Sequence, residues 1–549
     1  MCRFESGLGH ERNHLTESNE NISNGSAEEA PLAGAEGIIP QTPQAGNYLL
    51  PISRRIQFTR AALAGLAAGS VAVLFQLSLD VAERGRIALL QEMQAFPAWG
   101  WSVLPVIAAA LSGIAGYLTE HYAPAASGSG IPHIRAVLAR KRTIEWRRLL
   151  PVKFIGGVLG LGAGLSLGRE GPTVQMGACV GEGISEKLKL DSRSKRNLIA
   201  SASGAGLGAA FNAPLAGFIF VIEELQRELS PLTFVSALIA SVTAVAVSRI
   251  FTGQLPSFHI RNYPLPPLTA LPLFALMGLV AGYAGVLFNR TLLLAVRRSH
   301  RLPWPLWKKA ATAGFVTGLV GWFLPDALGG GHRIAESILR GELTSPHLIW
   351  FFLALLVGKF FLTMLGYSSG VPGGIFAPLL VLGAIIGQLF GQVSVVLFPS
   401  AGATPAAYAV VCMAAMFTSI VRAPLTGIVL ILEMTGNQEQ LFALILACLI
   451  AYLVAEHTRD IPIYDALLDL DLEKDKSGSS GENEEPHVML VTVHSHSAMD
   501  GIAIRDLKLP KGCLLISIRR GAHHELIAKP DLVLMAGDLV LAILPPSQS

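Results

Sequence analysis

The sequence predicts an all-α polytopic membrane protein followed by a small α+β soluble domain, and three features carry that prediction. Of 549 residues, 51% are hydrophobic and only 15% are charged, whereas soluble domains carry about a quarter charged residues. Apolar runs recur along the chain, many long enough to cross a bilayer at roughly 20 residues per span. From residue 487 onward the pattern changes to short β-type runs split by Gly, Pro and Asp.

Residues 1–50 are rich in Asn, Glu, Ser, Gly and Pro, which predicts a disordered tail. They contain no apolar stretch of the kind a cleavable signal peptide needs, so the first span is expected to act as the insertion signal. Residues 51–470 are the expected membrane body, with apolar runs at 61–79, 103–118, 232–247, 268–288, 310–323, 348–365, 379–397 and 441–455. Several are short or interrupted by Gly and Pro, and the 56 glycines suit close helix packing and broken helices. Residues 471–486, with Lys-Ser-Gly-Ser-Ser-Gly-Glu at their centre, read as a flexible linker. Within 487–549, strands are expected at 488–493, 513–518, 532–535 and 539–544.

A net charge of +3 implies no nucleic-acid surface. Basic clusters at 140–148, 187–196 and 297–309 separate apolar runs and read as bilayer-flanking charge, cytoplasmic by the positive-inside rule. The five cysteines are scattered without metal-ligand spacing, so packing is their expected role. His494, His496, His523 and His524 match no metal template, and neither metal nor cofactor is expected.

The membrane body is written twice. Gly168-Arg-Glu-Gly-Pro172, with Gly177, Ala178 and Gly181, aligns with Gly374-Ile-Phe-Ala-Pro378, Gly383, Ala384 and Gly387 at a shift of 206. Asn212-Ala-Pro-Leu-Ala-Gly217 and Glu223 align with Arg422-Ala-Pro-Leu-Thr-Gly427 and Glu433 at a shift of 210. Repeated membrane halves with interrupted helices at matching positions point to a transporter whose site lies at the repeat interface. The residues alone leave parallel and inverted arrangements open.

Four segments are marked to begin helices within the membrane: Gly128-Ser-Gly-Ile-Pro132, Gly168–Pro172, Gly373–Pro378 and Ile461-Pro-Ile-Tyr464. Pro favours the first helical turn, where its missing N–H costs nothing. The free amides and the positive dipole end then face whatever precedes the helix, and in hydrocarbon an anion is a fitting partner. A halide needs several weak donors rather than a formal cation, which would hold it too long for turnover. Ser129 and Tyr464 each add a hydroxyl.

On these motifs the chain resembles the CLC family of chloride channels and chloride/proton exchangers, from about Arg55 to Asp469. The resemblance implies an inverted-repeat fold of broken and re-entrant helices, and a homodimer with one pathway per subunit. It implies that Ser129 Oγ, Tyr464 Oη and the amides of Ile375 and Phe376 coordinate the central chloride. The segments around Leu507–Cys513, Ile518–Gly521 and Ala536–Val540 resemble the regulatory TrkA-C module of potassium-uptake proteins, which implies a small ligand or a dimer contact.

Glu170 stands in an apolar stretch, where a carboxylate is costly and functional by default. Ionised, it can occupy an anion site; protonated, it must leave, so one side chain gates chloride and carries H⁺. By resemblance it is the external gate, with Arg169 as its neighbouring cation. Glu224 matches the internal proton glutamate of exchangers, and Glu223 beside it reads equally as a structural carboxylate. Lys153 matches a position that supplies positive potential for anion access, against a plain snorkelling lysine.

The expected function is therefore chloride/proton antiport, with a passive voltage- or pH-gated chloride channel as the alternative. An intramembrane serine hydrolase is disfavoured, since Ser129, Ser203 and Ser368 lack a histidine in a helix placed to partner them. The expected setting is a prokaryotic inner membrane with both termini cytoplasmic.

Overall fold

The computed structural model describes residues 51–96, 98–227, 230–254, 256–258, 260, 265–343, 348–399, 403–478, 487–493, 497, 499–507, 509, 512–520 and 524–544. The tail expected over 1–50 lies outside them, as do His494, His496 and His523.

The first half holds α1 (Pro51–Gln94), α2 (Gly100–Tyr122), α3 (Ile131–Leu138) and α4 (Trp146–Gly162). It continues with α5 (Glu170–Lys187), α6 (Ser192–Phe211), α7 (Pro214–Phe220), a π-helical turn over Val221–Gln226, and α8 (Pro231–Thr252). The second half repeats that order as α9 (Leu271–Arg301), α10 (Leu306–Phe323), α11 (His332–Leu339) and α12 (Ile349–Ser368). It ends with α13 (Phe376–Leu397), α14 (Pro405–Val421), α15 (Pro424–Thr435) and α16 (Leu441–His457), and α17 (Ile463–Gly478) follows outside the repeat. Among the described residues, seven helices are long and apolar enough to cross a membrane, and α14 and α15 are shorter apolar ones.

Local chemistry sets the helix boundaries. Asp191 caps α6 by accepting from the amides of Arg193 and Ser194, both at 3.1 Å. Pro214, Pro231, Pro405 and Pro424 each open a helix, where proline costs nothing. The repeat-related Asn212 and Arg422 close α6 and α14 in the left-handed conformation, at φ 57° and 68°.

The halves are inverted about a local two-fold. Gly168 and Gly374 form an antiparallel bridge, each amide donating to the other's carbonyl at 2.7 Å. Glu223 accepts from the amides of Leu425 and Thr426 at the start of α15, at 3.0 and 2.6 Å. Glu433 does the same for Leu215 and Ala216 at the start of α7, at 3.0 and 2.8 Å. Each half thus supplies the carboxylate that satisfies the other half's orphan helix-start donors.

The stretch expected as a linker from residue 471 is helical as far as Gly478, because α17 carries through it; residues 479–486 lie outside the described set. Beyond it, β1 (His487–Thr492), β4 (Leu539–Leu544), β2 (Leu514–Arg520) and β3 (His524–Ile527) form an antiparallel sheet in that order. Val493, Ile518, Leu534 and Val540 form its core. The strand expected at 532–535 is not one. Leu532 and Leu534 bond instead to the backbone of Ile504, Ile502 and Gly501, leaving a single isolated bridge at Val533. Strand β3 was not signalled, since His-Glu-Leu-Ile carries no alternation of its own and is fixed by pairing with β2.

Candidate functional site

All four segments predicted to start helices do so, at α3, α5, α13 and α17. Their loops are joined directly. Gly373 N donates to Gly128 O at 3.0 Å, tying the third segment to the first, while the Gly168–Gly374 bridge ties it to the second. Tyr464, at the start of α17, faces Ser129. Ser129, Glu170, Ile375, Phe376 and Tyr464 are all buried, each at most 2% exposed.

Glycine makes this convergence possible. A Cβ on Gly171 would come within 2.5 Å of Ser129 Oγ and 2.8 Å of Ser129 O. One on Gly168 would stand 2.2 Å from Glu170 Oε2 and 2.9 Å from the amide of Ala377. The glycines of Gly168-Arg-Glu-Gly-Pro172 are therefore required for three chain segments to meet, which explains the motif in steric terms.

Three polar atoms at the junction, Ser129 Oγ, Tyr464 Oη and Glu170 Oε2, are buried without a hydrogen-bonded protein partner. Buried hydroxyls normally have one. Ile375 and Phe376 open α13, so their amides lack intrahelical acceptors. The Phe376 ring is fixed among Phe211, Phe220 and Phe417, with centroids 5.9, 6.0 and 4.7 Å away. Two hydroxyl donors and a helix start, with no formal cation bonded to them among the described residues, form a donor set that fits a halide substrate.

The Glu170 carboxylate lies beside the amide of Ala377, in the first turn of α13. No ion pair joins it to Arg169, whose guanidinium donates to Ala210 O at 3.4 Å. A cavity of about 100 Å³ reaches Glu170 and is also lined by Arg169, Asp80, Glu83, Arg86 and His332. A second, of about 510 Å³, reaches Gly128 and Gly130 and is lined by His133, Arg142 and Tyr367.

Glu224 sits in the π-helical turn, its side chain 1% exposed. Its carboxylate accepts from Arg135 at 2.8 Å and lies 3.5 Å from Arg227. Both arginines also hold Asp465, the residue after Tyr464, Arg227 at 2.8 Å and Arg135 through a short contact. Glu224 is thus linked to the Tyr464 helix start by two shared cations. The two alternatives open for Glu223 resolve to a helix-bridging carboxylate.

Lys153 does not snorkel. It is fully buried, and its Nζ donates to Ala126 O and Gly128 O at 2.9 and 2.7 Å, holding the loop that leads into α3. Sequence reasoning missed its counterpart. Lys359 is also fully buried and donates to Ala327 O and Gly329 O, at 3.3 and 2.9 Å, holding the loop before α11. A signal existed: 359 − 153 is 206, the shift that relates the glycine motifs.

The comparisons with known proteins agree with this geometry. Residues 110–456 match the family described as voltage gated chloride channel, and residues 488–549 match the TrkA-C domain. The H(+)/Cl(-) exchange transporter ClcA of Vibrio parahaemolyticus is 37% identical over 427 residues, covering 76% of this chain and 90% of that protein. Its counterpart from Salmonella agona is 36% identical over 431 residues, covering 77% and 90%. The crystal structure of a slow cyanobacterial Cl-/H+ antiporter superposes with a TM-score of 0.73 at 34% identity, covering 76% of this chain and 99% of that one. A CLC-type fluoride/proton antiporter, 23% identical, shares the fold at a TM-score of 0.63 over 77% of this chain and 99% of that one.

Proposed function

This chain belongs to the voltage-gated chloride channel family, and we propose that it exchanges chloride for protons across a bilayer, with Glu170 as gate and Glu224 as second proton carrier. The observation that carries this reading is the set of three partnerless buried atoms, Ser129 Oγ, Tyr464 Oη and Glu170 Oε2, at the meeting point of the α5 and α13 helix starts. Chloride binds there to the two hydroxyls and the amides of Ile375 and Phe376. The ionised Glu170 carboxylate competes for the same positive helix ends. Protonation removes its claim on them, so each proton taken up opens the path to the anion. Lys153 positions the Gly128–Ser129 loop through its two carbonyl contacts. Arg169 contributes potential in the cavity that reaches Glu170.

The exchanger relatives support proton coupling, and so does a buried Glu224 linked to the Tyr464 helix. One observation favours the passive-channel alternative: Glu224 is clamped between Arg135 and Arg227, contacts that restrain the side chain a proton carrier would have to move. Paired chloride and proton fluxes in proteoliposomes separate the two. An imposed chloride gradient drives protons uphill in an exchanger, and leaves them at rest in a channel.

The remaining assignments follow from the same reading. The protein is a homodimer with one pathway per subunit, supported by the exposed, repeat-related Leu215 and Leu425 on α7 and α15. It lies in a prokaryotic inner membrane with both termini cytoplasmic. Residues 51–470 transport, and residues 487–549 regulate, through a small ligand or a dimer contact. Its role is transport, not catalysis.

A further inference from the structure

The exchange reading leaves unused the basic run that leads into α6. Arg193 and Arg196 share a cavity of about 420 Å³ with Arg135 of α3 and with Arg227, just past the π-helical turn. No described residue lining it is acidic. Ser230 and Thr233 bring the start of α8, 22 residues long, to the same cavity. Ser230 makes no side-chain cap bond, so the amides of Leu232 and Thr233, which follow Pro231, keep their donors and their share of the dipole.

The arginines have donors to spare. Arg196 Nε is buried without a partner, while its NH1 makes one long bond, 3.4 Å, to Leu138 O. The Arg193 guanidinium has no polar partner among the described residues. Arg135 and Arg227 hold Glu224 and Asp465, yet a guanidinium offers five N–H donors in a planar fork. Planar forks beside a helix start are suited to phosphate oxygens. A halide, a single round ion, needs neither the forks nor so large a space.

We propose that this cavity binds a phosphate group, carried either by an anionic phospholipid headgroup or by a soluble phosphate ester or polyphosphate. The bound group draws Arg135 and Arg227 away from Glu224 and Asp465, and so changes the transport rate. Binding itself does not depend on the exchange reading; the effect on rate does.

The test uses the purified full-length chain. Pyrophosphate binding is measured by titration calorimetry, and retained phosphatidylglycerol by native mass spectrometry. The Arg193→Gln/Arg196→Gln variant should lose about a hundredfold in affinity for whichever binds. Arg193→Gln alone, which removes an exposed side chain without a partner, should lose about tenfold and leaves the fold least disturbed. Chloride flux is then compared in phosphatidylcholine vesicles, in the same vesicles with pyrophosphate, and in vesicles containing phosphatidylglycerol. A rate change with pyrophosphate, absent in the double variant, supports the site and assigns a soluble ligand. A change confined to phosphatidylglycerol supports it and assigns a lipid headgroup. Binding unaltered by both variants, or no binding of either probe, overturns the proposal. So does a double variant that merely needs more chloride for half-maximal flux, since the cavity would then be a chloride funnel.

Discussion

The reciprocal glutamate caps make a quantitative prediction about how the two halves hold together. Glu433→Ala removes two charge-assisted bonds to the amides of Leu215 and Ala216. At roughly 1.5 kcal/mol each, the low end for charged acceptors because the site is partly exposed, the loss is about 3 kcal/mol. Glu223→Ala removes the matching pair and a third bond, from Thr426 Oγ1 at 2.7 Å. That position is Ala216 in the other half and offers no hydroxyl. The third bond adds about 1 kcal/mol, so Glu223→Ala should cost about 4 kcal/mol. Thr426→Ala alone should cost about 1 kcal/mol, and in its background the two glutamate variants should become equal. Equilibrium unfolding of the detergent-solubilised protein, titrated with dodecyl sulfate, reads all five variants, the three single and the two double ones. Wild-type stability in Glu433→Ala, or a larger loss there than in Glu223→Ala, would refute the reasoning.

Further outcomes follow from the same geometry. Glu170→Gln and Glu224→Gln should each abolish chloride-driven proton movement while chloride flux persists, as paired electrodes on proteoliposomes would read. Gly168→Ala should abolish chloride flux, since its methyl would stand 2.9 Å from the Ala377 amide and press on the backbone of the α13 start; Gly85→Ala, with nothing within 4 Å of the added carbon, should leave flux unchanged. Lys153→Met removes both bonds that hold the Gly128–Ser129 loop and should weaken chloride binding by at least about tenfold in calorimetric titration. In the soluble domain, the Arg520 guanidinium, bonded at 2.9 and 2.7 Å, holds the Asp538 carboxyl below its ordinary value. A depressed carboxyl stabilises the fold above its unfolded titration range, and the gain is lost as pH falls through the folded one. Amide protection factors in β2 and β4, taken against the intrinsic exchange rate at each pH, should therefore fall on acidification, and Asp538→Asn should remove most of that pH dependence.

The helix starts were legible because their signals act within one turn. Pro within or just before the first turn and glycines where chains approach closely state a boundary locally, and all four predicted starts stand where expected. The repeat was legible for the same reason, as motif residues at fixed shifts. The partners were not. Arg135 reaches Asp465 across 330 positions, and nothing near either residue in sequence names the other. Lys359 obeys the 206-residue shift, yet a lysine inside an apolar run reads first as a snorkelling side chain. Helix α17 runs past its expected end since Asp471-Leu-Glu-Lys-Asp-Lys consists of residues that tolerate helix.

The proposed exchange requires a bare anion seated between Ser129 Oγ and Tyr464 Oη at the head of α13. Anomalous diffraction from crystals grown in bromide tests that most directly. The prediction is a peak within contact of both hydroxyls and the Ile375 and Phe376 amides, lost in a Tyr464→Ala variant. Bromide that occupies any of the three cavities but never that junction would contradict it.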